Sequence, residues 1–154
     1  MITKKIKKNT GFVILFVVII SSIILAITIS VANISLKEIK FGTSAKDTND
    51  AFFAADTGAE CALFYDKSSE SKFPAEGPAQ IINCANTSIT PTFSAGVYNF
   101  IITNLGSIGQ SCAIVTVDKS ISPTAIISKG YNTGDSFCNP SSANRVERQI
   151  ELTY

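Results

Sequence analysis

The chain has 154 residues, 13 basic against 12 acidic side chains, and neither histidine nor tryptophan. A net charge of +1 leaves no electrostatic footprint for a nucleic-acid partner, and without histidine the commonest general base and the commonest metal ligand are both missing. Catalysis would have to rest on carboxylates, lysines or serines alone, and no carboxylate pair stands out. The reading is therefore a non-enzymatic chain with no metal and no cofactor.

Residues 1–11, MITKKIKKNTG, form a short basic leader, with Lys4, Lys5, Lys7 and Lys8 and no acidic residue. Residues 12–36 follow as 25 positions without charge, proline or glycine. A helix rises about 1.5 Å per residue, so roughly 20 apolar residues span a bilayer's hydrocarbon core. This run is long enough. By the positive-inside tendency the lysines stay in the cytoplasm and the remainder is carried across, giving a single-pass membrane protein with its C-terminal domain outside.

Two processing patterns compete at this end, and an uncleaved signal anchor is a third reading. Gly11-Phe12, just after the lysines, suits a cut at the start of the apolar run. Ser30-Val31-Ala32 offers the small-x-small site of an ordinary secretory signal, but the uncharged run is longer than such signals allow. The Gly11-Phe12 cut is the favoured one.

Residues 37–65 continue the helix in amphipathic form. Ala45, Phe52, Ala55, Ala59 and Ala62 recur at helical spacing, with Phe41 and Thr48 in neighbouring places, so one face is expected to meet a core. Gly42 and Gly58 each cost about 1 kcal/mol against alanine and are expected to mark local weakness. Residues 66–96 carry loop chemistry in Pro74, Gly77-Pro78, Pro91 and Gly96, with a short helical turn expected around residues 79–84. Asn86-Thr87-Ser88 matches a glycosylation acceptor, a weak three-residue signal.

After Gly96 the period changes to two. Tyr98, Phe100 and Ile102 alternate in residues 97–103, and Ala113, Val115 and Val117 in residues 112–118. Ala125, Ile127 and Tyr131 fall together in residues 124–131, and Val146, Ile150, Leu152 and Tyr154 in residues 145–154. These predict four half-buried strands joined by short turns, an antiparallel sheet over residues 97–154. The fold class is thus α+β, a long N-terminal helix packed on a four-stranded antiparallel sheet. Arg148 falls on the apolar side of the last strand, where its stem is expected to pack and its head to reach the rim or a carboxylate.

Cys61, Cys84, Cys112 and Cys138 all lie on the exported side, where thiols oxidise. Four cysteines allow three pairings. The favoured one is Cys61 with Cys84, pinning the loop to the helix end, and Cys112 with Cys138, pinning the last loop to the second strand. No C-x-x-C supports a zinc site. Asp135, within Asn132-Thr133-Gly134-Asp135-Ser136, lacks the ligand spacing of a calcium loop.

A basic leader ending in Gly11-Phe12, a long N-terminal helix, a variable loop and a terminal antiparallel sheet together resemble the type IV pilin superfamily. Residues 52–60, FFAADTGAE, are similar to the AF-x-A-A-E-x-G segment of PilX-type minor pilins, and residues 145–151, RVERQIE, to their last strand. The resemblance implies a pilin-like fold and a structural subunit of a cell-surface filament, pseudopilus or tip complex. It also implies a prepilin peptidase acting at Gly11 and Phe12, with N-methylation of Phe12, and an assembly ATPase and platform. Other pilin subunits and membrane lipids complete the implied partners. One departure carries weight: the fifth position after the cut is Phe16, where major pilins carry a glutamate. That implies a minor or initiating subunit. The runner-up function is a monomeric, membrane-anchored extracellular binding module.

Overall fold

The computed structural model describes residues 10–78, 80–139 and 144–154. It contains one long helix, α1 (Thr10–Lys67), followed by seven strands: β1 (Ile82–Cys84), β2 (Thr87–Ile89), β3 (Thr92–Ser94), β4 (Val97–Leu105), β5 (Ser111–Asp118), β6 (Ala125–Tyr131) and β7 (Glu147–Thr153). Contacts divide the chain between Thr43 and Ser44 into two units. The helix ends two residues beyond the expected Tyr65, where Lys67 places a cation in its last turn and complements the helix dipole.

The first unit contains the apolar part of α1. Nothing packs within 4 Å of where a Cβ on Gly42 would lie, and the helix continues through it.

In the second unit, β3 to β7 form one antiparallel sheet in sequential order, and β1 and β2 form a separate hairpin. The main sheet therefore has five strands, not the expected four. The addition is β3, three residues paired with the start of β4 through a two-residue turn at Ala95 and Gly96, both at positive φ. The helical turn expected near residues 79–84 is replaced by β1. There Ile82 and Cys84 are buried around exposed Asn83, and a second tight turn at Ala85 and Asn86 folds β2 back.

The pairing register puts Ile102, Ala113, Gly130 and Arg148 in one cross-strand row, and Phe100, Val115, Ser128 and Ile150 in the next. Tyr98, Val117, Ile126 and Leu152 form a third row. These rows face α1. The expected faces of β4, β5 and β7 agree with this, but that of β6 is inverted. Ile126, Ser128 and Gly130 point to the helix, and Ala125, Ile127 and Tyr131 to the opposite face.

What α1 offers the sheet is a stripe of small residues. Ala51, Ala54, Ala55, Gly58, Ala59 and Ala62 recur at helical spacing, and all are buried. Phe52, expected on this face, is 46% exposed, and Phe41 and Ala45 are exposed as well. Large side chains are excluded because the backbones meet. A Cβ on Gly130 would lie 2.1 Å from the Ala51 carbonyl oxygen, and one on Gly58 would lie 2.4 Å from Ser128 Oγ. Gly58 is thus a close-packing position rather than the weak point its helix propensity suggests. Bulk is supplied at the sheet's other end, where Phe73 packs at 5.3 Å from Tyr98 and stacks at 6.0 Å on Phe100. Each such fully buried side chain contributes roughly 1.5–3 kcal/mol.

Candidate functional site

Two regions of α1 present opposite surfaces. Along residues 12–36 every large apolar side chain is exposed, from Phe12 at 77% to Leu36 at 60%. The helix is long and apolar enough to cross a membrane and lies near the N-terminus. Its few hydroxyls are turned inward on the helix itself. Ser21, Ser22, Thr28 and Ser30 donate to the carbonyls of Val18, Ile19, Leu25 and Ala26 at 2.8–3.0 Å. A segment so arranged satisfies its backbone and these hydroxyls internally, which is the condition an apolar medium imposes.

Of the expected processing residues, Gly11 lies in the first turn of α1 and Phe12 follows it, while the four leader lysines lie outside the described residues. No acidic residue occupies the first turn of α1, and Phe16 is 55% exposed.

The other end of α1 is clamped. Asp66 is buried, and its carboxylate accepts from Tyr154 Oη at 2.6 Å and Ser71 Oγ at 3.0 Å and pairs with Lys119 Nζ at 2.5 Å. Lys67 Nζ sits 3.8 Å above the Tyr154 ring. One carboxylate thereby joins the helix end, the following loop, the β5–β6 connection and the residue after β7. Burial pushes the Asp66 carboxyl up, but the hydrogen bonds from Lys119, Tyr154 and Ser71 outweigh it and hold it below the ordinary aspartate value. Burial, and then the hydrogen bond to Asp66, push the Tyr154 phenol well above its ordinary value. Tyr65 adds a second tie, its hydroxyl accepting from the Asn83 amide at 3.1 Å and donating to the Asn83 carbonyl at 3.2 Å. The sequence reading missed this clamp. Lys119 and Tyr154 are 53 and 88 residues from Asp66, and no local pattern announces such a contact.

The cysteines stand in the two favoured pairs. Cys61 and Cys84 lie with Cα atoms 5.9 Å apart, and Cys112 and Cys138 5.7 Å apart, both at disulfide distance. The first pair fastens the β1–β2 hairpin to α1. The second fastens the 132–139 loop beneath the sheet's outer face, where Tyr131 carries the Arg145 guanidinium 3.5 Å above its ring.

Arg148 does lie on the helix face, but its guanidinium donates to the Thr48 hydroxyl at 3.4 Å instead of reaching a carboxylate. Asp135 serves its own loop. It accepts from the backbone amides of Asn139 at 2.8 Å and Phe137 at 2.9 Å, and the first of these is the main reason its carboxyl lies below the ordinary value. Among the described residues no three cysteine, aspartate or glutamate side chains gather as a metal site would require. A surface groove of about 710 Å³ lies between the end of α1 and β7, lined by Leu63, Phe64, Leu152 and Tyr154 together with Glu60 and Lys67. It is apolar, open and without a convergent set of polar groups. Asn86 is exposed at the tip of the β1–β2 turn.

No family model, curated protein or solved structure matches the chain.

Proposed function

We propose that this chain is a minor type IV pilin or pseudopilin, a structural subunit held in the cytoplasmic membrane and then drawn into a cell-surface filament or its initiating tip. The observation that carries the reading is the division of labour along α1. Residues 12–36 leave their whole apolar circumference unused within the chain, whereas the stripe from Ala51 to Ala62 is spent on the sheet. In the proposed assembly, helices of several subunits bury residues 12–36 against one another in place of lipid. The gain comes from dispersion and close packing rather than from leaving water. The sheet and its disulfides then belong on the outer side, an oxidising setting that suits two closed cysteine pairs.

Phe16 sets the role within the filament. An ionised carboxylate in hydrocarbon is costly unless paired, so a glutamate at that place serves a purpose, and this chain does without it. The subunit therefore enters filaments in low proportion, alongside other pilin subunits. It depends on a prepilin peptidase acting between Gly11 and Phe12, an assembly ATPase and a membrane platform. It has no catalytic residues of its own.

Quantitative mass spectrometry of sheared surface filaments tests this. The chain is expected in the filament fraction well below the main subunit. Recovery solely from membranes would leave the anchored monomeric binding module, and filaments made almost wholly of this chain would contradict the minor role.

A further inference from the structure

The end of the second unit near its first residue, Ser44, carries two exposed apolar tips. Thr48, four residues into this unit, meets Arg148 next to the start of β7, and Ala51 and Ala55 meet Gly130 at the end of β6. That end of the sheet also carries the β4–β5 turn and the 132–139 loop. The two are tied together, Gly134 N donating to Gln110 O at 2.9 Å and Ser111 Oγ to Asn132 O at 3.2 Å. Ile108 at the tip of the first is 64% exposed, and Phe137 in the second is 70% exposed. Neither is left outward by accident of a loose loop. Gly109 N closes the first turn on Gly106 O at 3.3 Å, and Asp135 with the Cys112–Cys138 pair fixes the second.

Ser44 follows Leu36 by eight residues, which even fully extended reach roughly 28 Å. We propose that Ile108 and Phe137 contact the lipid surface, inserting into its interfacial zone when residues 12–36 span the bilayer. The tether keeps this end at high effective concentration beside the membrane, and a phenylalanine and an isoleucine gain by leaving water there. Of the cations Lys129, Arg145 and Arg148 at this end, two stand by carboxylates, and the third, Arg148, donates to the Thr48 hydroxyl. Lys129 faces Glu147 at 3.8 Å, and Arg145 acts on Asp135. The proposed contact is that of the two apolar tips, Ile108 and Phe137, and does not require anionic lipid.

This inference rests on the membrane reading, and the chain's lack of tryptophan allows both to be tested separately. Four single-tryptophan variants of the full chain, Ile108→Trp, Phe137→Trp, Ile121→Trp and Leu25→Trp, are reconstituted in phosphatidylcholine vesicles carrying brominated acyl chains. Ile121, 54% exposed in the β5–β6 connection at the opposite end of the sheet, is the control for the exported domain. Leu25 is the control for insertion. Ile108→Trp and Phe137→Trp are expected to emit at shorter wavelength and to be quenched several-fold more than Ile121→Trp, at a depth shallower than Leu25→Trp and unchanged by salt. Strong quenching of Leu25→Trp with no excess at positions 108 and 137 overturns the surface contact and leaves the membrane helix standing. No quenching of Leu25→Trp overturns the membrane reading itself. A blue shift at 108 and 137 that grows with protein density, without lipid quenching, means that a second copy covers the tips and equally overturns the contact.

Discussion

One helix contains two stretches whose side chains solve opposite problems. Residues 12–36 are built from Ile, Val, Leu and Phe, and all of those side chains stand exposed. From Ala51 to Ala62 the inward positions are Ala and Gly, and all are buried. Hydrophobicity alone would rank the first stretch as the core. Size reverses the order, because a helix that must lie flush on a sheet cannot carry bulk on the contact face. The bulky stretch is left exposed within the chain.

The contrast is broken most severely at Gly130. A methyl there would collide with the Ala51 carbonyl oxygen at 2.1 Å and the Ala55 amide nitrogen at 2.2 Å, both backbone atoms that cannot step aside. Gly130→Ala is expected to cost about 3 kcal/mol, the upper end of overpacking, read as a lower unfolding midpoint of the full chain in detergent. An unchanged midpoint would mean the helix does not lie flush.

The clamp at the helix end comes next. Asp66→Asn keeps the shape but removes the charge that Lys119 pairs with, at an expected cost of roughly 2 kcal/mol at neutral pH. The pH dependence has a definite sign. Asp66 is held below its ordinary value of 3.8, so its contribution is complete above that value and fades as pH falls through it toward the lowered one. Tyr154 is raised above its ordinary value of 10.0, so its contribution is complete below that value and fades only as pH rises past it. The wild type should lose more midpoint on acidification than Asp66→Asn, in which the lowered carboxyl of Asp135 remains. Parallel acid limbs would remove Asp66 from the account.

Ser128 sharpens the comparison in the other direction. Its hydroxyl is buried beneath Gly58 with no hydrogen-bond partner among the described residues. Ser128→Ala is expected to be neutral or to stabilise by up to about 1 kcal/mol, because an unpaired polar atom is removed without leaving a large void. A clear loss of stability would mean that the hydroxyl finds a partner. The smallest effect belongs to the exposed stretch. Leu25→Ala should shift unfolding of the sheet by less than about 0.5 kcal/mol, since Leu25 is 61% exposed.

These same residues explain what could be read from sequence. The alternation in β4 and β5 was legible because their core face is made of Tyr, Phe, Ile, Val and Ala. The face of β6 was not, because its core positions include Ser128 and Gly130, chosen for closeness to α1 rather than for apolarity. Phe52 was misplaced for the same reason, since a large apolar residue looks like core until the contact turns out to admit only alanine. The three-residue strands β1, β2 and β3 are too short to show a period amid turn residues. The cysteine partners were a preference among three pairings, chosen to pin one loop to the helix end and the last loop to the second strand. The Asp66 clamp rests mainly on the distant Lys119 and Tyr154, and left no trace in the linear pattern.

The mature N-terminus tests the central claim most directly, because processing decides whether the exposed stretch survives to assemble. Sequencing of protein recovered from the cell surface is predicted to begin at Phe12, with 143 residues retained and the whole apolar run intact. Gly11→Val should leave an uncut precursor in the membrane. A chain beginning at Asn33 would have lost the run and would contradict the pilin reading outright, whereas Met1 would leave a plain membrane anchor.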